Sequence, residues 1–417
     1  MATTTTVTLA LGLGVVLAVS CAPAGARGQE GFSIADRVDS AEVLTPFRGR
    51  GPHEVVTEFV EWSFDGHWSE GYVHKPIGDS GGRGWGGVVF GHGLCAKAEF
   101  YDHIAAVLAS HGYVVLATDE FSDCDVSDIV AGKRTNTTAY AEELERNALY
   151  LATGREDVDA SRGIALVGHS MGGGGSLNAA AALAASRPGL VAGVAAIAPW
   201  NGVEPNPSTT APLLDCPVLL ICSEGDSLVP CSGPVKTEIV IGALRLPFAS
   251  ILPPEASLDY NGGVLAIYEN VSASVPAILA VVRDANHLTI VDSDGKAGGT
   301  QKVSTGTSAI TTPPSLPLSP SLSLLTHCAK TTTDAPPRSP PQIPKAVDYF
   351  SQWLEFPTFD LEPGQVIPTI EYAAAFVEWV TGGQRKDAAR EMVWEGMGED
   401  GRFVQPVMSR NPPPDGG

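Results

Sequence analysis

Basic residues are scarce in this sequence: 26 Lys and Arg stand against 47 Asp and Glu, leaving a net charge of -21. Phosphate backbones and anionic membrane surfaces are held by clustered cations. Nucleic acid and such surfaces are therefore excluded as partners. Long apolar runs are lacking too. The run at residues 7–19, VTLALGLGVVLAV, falls short of the ~20 residues a spanning helix takes, and no later stretch reaches that length, so no stable membrane span is expected. No Cys-x-x-Cys or Cys/His spacing suits zinc, and the phosphate loop G-x-x-x-x-G-K-S/T is absent. No metal and no cofactor are expected.

What is present fits a globular chain. Hydrophobic residues make up 44% of 417 positions and charged residues 18%, enough apolar surface for a large core. The 46 glycines and 32 prolines call for long loops. The first 26 residues carry no Asp, Glu, Lys or Arg, and their apolar run ends near the small residues Ala24-Gly25-Ala26. That pattern reads as a signal peptide over 1–26, although its start lacks the usual basic residue. Secretion to the extracellular space is expected. Six cysteines then remain, Cys95, Cys124, Cys216, Cys222, Cys231 and Cys328, an even number that permits disulfides in fifteen pairings.

From about Val55 to Asp294, short apolar runs alternate with helical patterns. Strands are expected at 55–64, 70–74, 87–90, 114–117, 164–167, 191–197, 218–222 and 278–282, with helices at 101–110, 138–153 and 170–186. Continuous apolar strands interleaved with helices imply an α/β fold, a mostly parallel sheet with helices on both faces. Asp65-Gly66 between the first two runs reads as a hairpin turn. Residues 295–344 are rich in Ser, Thr and Pro, follow neither period, and are expected to be a disordered insertion. Helices resume at 345–354, 368–380 and 384–394, and residues 406–417 read as a disordered tail.

The apolar run at 164–167 leads into Gly168-His169-Ser170-Met171-Gly172 and then an Ala-rich helix. This is G-x-S-x-G in the strand–turn–helix context that exposes a nucleophilic serine. A serine hydroxyl needs a base, and in this architecture the acid and then the histidine follow the serine along the chain. Only His287 and His327 lie beyond Ser170. His287 sits just after the strand at 278–282, whereas His327 falls in the insertion, so His287 is the base. The acid is Asp226, in the turn after the strand at 218–222, with Glu224 as fallback. His169 and the remaining histidines read as packing or surface residues. An oxyanion hole needs backbone N–H donors. Met171 supplies one at the start of its helix, and Leu94 the other, in the loop Gly91-His92-Gly93-Leu94.

These segments resemble the bacterial cutinase and poly(ethylene terephthalate) hydrolase family of α/β-hydrolases. The resemblance rests on Arg50-Gly51-Pro52, LASHGYVV at 108–115, GHSMGGGGSL at 168–177, Ala198-Pro199-Trp200 and Gly225-Asp226. It spans about residues 50–290 and resumes at 346–354. It implies an α/β-hydrolase domain over 27–294, completed by C-terminal helices at 345–405, and a serine esterase with an open cleft for small or polymeric hydrophobic esters. By the same resemblance Ser170, Asp226 and His287 form the triad, Met171 is an oxyanion donor, and Trp200 is the cleft tryptophan that packs against acyl or aromatic groups. Three features depart from the family. Leu94 replaces a frequent aromatic, no cysteine follows Cys328 to form the family's C-terminal disulfide, and the chain is longer between Pro230 and Ile278. A chlorophyllase-like or lipid-ester hydrolase shares the same triad, and an inactive α/β-hydrolase serving as a binding protein is the alternative of another class. A monomer is expected.

Because residues 295–344 show no apolar period, replacing them with a short Gly/Ser linker should leave folding intact. Loop closure changes by only ~0.6 kcal/mol per doubling of length. Circular dichroism and limited proteolysis check this; a shortened chain that fails to fold would make the stretch structural.

Overall fold

The computed structural model describes residues 7–11, 15–19, 47, 49–94, 96–119, 137–201, 205–226, 228–232, 238–241, 244–247, 263–287, 289–291, 367–404 and 407–412. The chain divides into two compact units between Leu44 and Thr45. In the first, β1 (Val7–Leu11) pairs antiparallel with β2 (Val15–Val19), Val7 opposite Val19. Both strands are rich in valine, whose branched side chain suits a strand better than a helix.

The second unit is built on nine strands. β3 (Val55–Phe64) and β4 (His67–Pro76) form the expected hairpin. Asp65 and Gly66 at its turn take φ angles of 51° and 79°, the positive values of the tight turn that matches strand twist. Then follow β5 (Gly86–Gly91), β6 (Tyr113–Thr118), β7 (Ile164–His169), β8 (Val191–Ile197), β9 (Val218–Ser223), β12 (Ala277–Val282) and β13 (Met408–Arg410), with a separate hairpin of β10 (Glu238–Ile241) and β11 (Leu244–Pro247). The sheet runs β13-β12-β9-β8-β7-β5-β6-β4-β3. Its six central strands, β12 through β6 in that order, are parallel, and antiparallel pairs lie at both ends.

Among the described residues, the α-helices of six residues or more are α1 (Asp102–Ser110), α2 (Thr137–Gly154), α3 (Met171–Ser186), α4 (Gly263–Asn270), α5 (Pro368–Val380) and α6 (Lys386–Glu391). Alternate strand residues feed two cores, one on each sheet face. Val88 and Phe90 of β5 pack with Ile104 and Leu108 of α1 and Ile370 and Phe376 of α5. Val89 between them packs with Leu144 and Leu151 of α2 and Leu177 and Leu183 of α3. With helices on both faces, each parallel strand is buried all round, which is why it reads as an unbroken apolar run. The fold is that of an α/β-hydrolase. Strand order reverses at β5, whose neighbours are β6 on one side and β7 on the other. Such a reversal opens a crevice at the strands' carboxyl ends.

Several elements differ from expectation. The tail expected to be disordered from 406 contains β13, antiparallel to β12. Three residues carry no period of their own; pairing holds them, together with Arg410, which donates to the carbonyls of Tyr268 and Val271 and lies over the Tyr268 ring. The helix expected at 384–394 begins at Lys386, after Gly382 turns to φ 61° and the buried Glu378 carboxylate accepts the Arg385 N–H at 2.8 Å. It gives way to a π-helical turn at Met392–Gly396. The long segment before β12 contributes α4. The insertion at 295–344 and the helix expected at 345–354 lie outside the described residues. Among the described residues, no helix is long and apolar enough to cross a membrane.

Phe376 is 1% exposed and lies within the α5 side of the core. Phe376→Ala should cost about 3–5 kcal/mol, read as a lowered urea midpoint; a loss below about 1 kcal/mol would show that α5 is peripheral to the core.

Candidate active site

β7 ends at His169 and α3 begins at Met171, leaving Ser170 alone to turn the chain. It does so at φ 56°, ψ -120°, a left-handed conformation that costs on the order of 1–3 kcal/mol for a residue with a side chain. Backbone bonds on both sides hold it there. The Ser170 N–H donates to the Ile197 carbonyl at 2.9 Å, and the Ser170 carbonyl accepts from Trp200 at 2.8 Å and Gly174 at 3.0 Å. The turn also brings α3 against β5. A Cβ on Gly172 would lie 2.2 Å from the carbonyl carbon and oxygen of Gly91, so only glycine fits there.

The candidate base arrives from β12. The chain turns through Asp284 (φ 52°) and presents His287, with Nε2 2.9 Å from Ser170 Oγ. Its Nδ1 lies 2.7 Å from Asp226 Oδ2. Asp226 follows β9, and its second oxygen, Oδ1, accepts the N–H groups of Leu228 and Val229, each at 2.8 Å. A buried carboxylate is tolerated when such donors replace water. The turns that carry Asp226 and His287 are joined by the Gly225 N–H, which donates to the Ala285 carbonyl at 2.9 Å. Ser170, Asp226 and His287 are all buried, whereas Glu224 is exposed on the turn before Asp226. Among the described residues, a disulfide between Cys222 and Cys231 closes the loop that carries Asp226, a pairing the sequence left open. Cys216 is a free, buried thiol whose pKa burial pushes up to about 12.

Of the two candidate oxyanion residues, Met171 directly follows the serine, and Leu94 follows Gly93, where a Cβ would lie 3.5 Å from the Ser170 Cβ. Met171 is the first residue of α3, where helix N–H groups lack internal partners. Leu94 stands on the loop after β5, 39% exposed, and that loop is fixed from behind. The Tyr140 hydroxyl donates to the His92 carbonyl at 2.9 Å, His92 Nδ1 donates to the Gly93 carbonyl at 2.8 Å, and the Gly93 N–H donates to the Tyr101 hydroxyl at 3.1 Å. Trp200 is half-buried just past β8, its backbone bonded to Ser170.

Two residues beside the site had no signal of their own in the sequence. His169, read there as a packing or surface residue, is buried, with Nδ1 2.9 Å from the Tyr101 hydroxyl and Nε2 2.9 Å from the His287 carbonyl. Burial, and then the nearby His287, hold its pKa well below the usual histidine value. Tyr101 is buried as well, which raises its own pKa. Their partners lie 68 and 118 residues away from His169, so only the fold reveals them.

Residues 41–237 match the family model described as PET hydrolase-like, a span that includes Ser170 and Asp226 and stops short of His287. The chain is 29% identical over 219 residues to a bis(hydroxyethyl) terephthalate hydrolase of Streptomyces coelicolor, covering 51% of this chain and 59% of that protein. It is 28% identical over 210 residues to cutinase 1 of Thermobifida cellulosilytica, covering 50% and 69%. It is likewise 28% identical over 210 residues to a cutinase of Thermobifida fusca, covering 50% and 60%. The chain therefore spans well short of the full length of each.

The Cys222–Cys231 bridge spans nine residues, and loop-closure entropy assigns such a cross-link about 2–3 kcal/mol. The double variant Cys222→Ala/Cys231→Ala should lose that much stability in urea unfolding. Unchanged stability would mean that the Leu228 and Val229 amides and the Ala285 contact hold the Asp226 loop by themselves.

Proposed function

We propose that the chain is a member of the bacterial cutinase and poly(ethylene terephthalate) hydrolase family, which the family match and the cutinase relatives support, and that it is a secreted serine esterase that cleaves hydrophobic carboxylic esters through an acyl-enzyme. The observation that carries this reading is the unbroken chain Ser170 Oγ–His287–Asp226, at 2.9 Å and 2.7 Å. His287 Nε2 takes the Ser170 proton as Oγ attacks the ester carbonyl. Asp226 fixes the Nε2-accepting tautomer and stabilises the imidazolium that forms. The tetrahedral oxyanion is held by the N–H groups of Met171 and Leu94, with the positive end of α3 behind the first. Collapse expels the alcohol, protonated by His287, and water then repeats the sequence in reverse to release the acid.

Trp200, whose backbone N–H is bonded to the Ser170 carbonyl, and the exposed Leu94 are the apolar side chains we assign to the acyl group. With an aliphatic Leu94 in place of an aromatic, the cleft suits aliphatic acyl chains better than aromatic diacids, since aromatic pairs add ~0.5–1.5 kcal/mol beyond area burial. The uncharged first 26 residues and the Cys222–Cys231 disulfide both support secretion into an oxidising compartment.

A fluorophosphonate probe should label the protein, and Ser170→Ala should abolish both labelling and turnover of p-nitrophenyl esters of increasing chain length. Asp226→Asn should keep the fold and lower kcat by up to ~10⁴. Labelling that persists in Ser170→Ala would refute the nucleophile, and a cost under about tenfold for Asp226→Asn would refute the acid.

A further inference from the structure

Two loops far apart in the chain meet at the serine: Gly91-His92-Gly93-Leu94 after β5, and the turn carrying His287 after β12. Tyr101, the residue just before α1, and His169, the last residue of β7, bridge them.

Elementary donor and acceptor rules leave the protons in this bridge no choice. The Gly93 N–H can only donate, so the Tyr101 oxygen accepts it at 3.1 Å. The His287 carbonyl can only accept, so His169 Nε2 carries a proton and donates it at 2.9 Å. A neutral ring then has Nδ1 as acceptor, and it takes the single Tyr101 proton at 2.9 Å. A protonated His169 would present a second donor to a Tyr101 oxygen already engaged by Gly93, and the tyrosine proton would lose its acceptor. Burial and the neighbouring His287 keep His169 neutral, consistent with that assignment. The bridge also has no slack. A Cβ on Gly93 would come within 2.9 Å of the Tyr101 oxygen and 3.3 Å of His169 Nδ1, and the His169 and His287 rings lie 4.8 Å apart at 40°.

We propose that Tyr101 and His169 are positioning residues: a directed hydrogen-bond relay, Gly93 N–H to Tyr101 O–H to His169 and from His169 Nε2–H to the His287 carbonyl, that locks the oxyanion loop and the base loop into one register. This rests on the esterase reading. The relay touches no substrate. It acts on the peptide leading into Leu94 and on the backbone of His287, both of which matter most when charge develops in the transition state. Its loss therefore lowers rate rather than substrate affinity.

The decisive variant is Tyr101→Phe, which removes one oxygen and keeps the ring against Phe90. With p-nitrophenyl esters, kcat should fall about 10- to 100-fold while KM stays within about twofold. Because both residues act in one chain, Tyr101→Phe/His169→Phe should cost about as much as the worse single change, not the product of the two. Nitrogen-15 NMR of the histidine rings should find His169 as the Nε2–H tautomer in the unaltered protein, and a mixture with Nδ1–H once Tyr101 is Phe. Unchanged kcat, a raised KM at constant kcat, multiplying losses, or an Nδ1–H tautomer in the unaltered protein would each overturn the relay. Failure of the esterase reading looks different: no turnover in the unaltered protein while His169 is still the Nε2–H tautomer, which would reduce the bridge to a structural clamp and overturn its positioning role.

Discussion

Ser170 is held in a left-handed backbone conformation between β7 and α3, and three backbone hydrogen bonds from Ile197, Trp200 and Gly174 supply the force that keeps it there. The conformation is intrinsically unfavourable, so it persists only because its surroundings over-determine it. Glycine backbones complete those surroundings. Gly172 of α3 abuts Gly91 at the end of β5, and this close approach carries the start of α3 up to the loop that follows β5. One strained residue thus sets where the hydroxyl projects, where the first helix N–H groups point, and how close the β5 loop comes.

Around that point the site is assembled from strand ends. β5, β7, β9 and β12 all run parallel in the central sheet, so their carboxyl ends deliver the Gly91–Leu94 loop, Ser170, Asp226 and His287 to one edge. Rigid strands then fix the positions while the loops supply the chemistry. Two buried side chains at this edge use both of their polar ends. Asp226 has an imidazole and two amides, and His169 has a phenol and a carbonyl. Leaving one member of such a buried chain unpaired would cost more than the bond itself contributes.

Much of this was legible in the sequence because the relevant signals are local. β5, β6, β7 and β9 are buried on both faces and so read as unbroken apolar runs, and α5 was legible to its ends because Pro368 opens it and Thr381-Gly382-Gly383 closes it. Ser170 announced itself through glycines that only a tight turn requires, and Asp226 and His287 through their places just after apolar strands. What stayed hidden depends on distant partners. β13 exists through its pairing with β12 and the grip of Arg410, not through its own composition. α4 is short and sits in a segment without a clear period. The Cys222–Cys231 pairing was one of fifteen. His169, read as a packing or surface residue, is indeed buried, but its place beside Ser170 says nothing of a tyrosine on α1's threshold or a carbonyl after β12.

The most direct measurement is to trap the covalent intermediate. Mixing the protein with an activated aliphatic ester, quenching in acid during the pre-steady state and mapping peptides by mass spectrometry should place one acyl group on the peptide that contains Ser170. The acyl group should accumulate to about one per chain when His287 cannot activate the deacylating water fast enough. An acyl group found on another residue, or ester turnover with no acylated peptide at any quench time, would contradict the account.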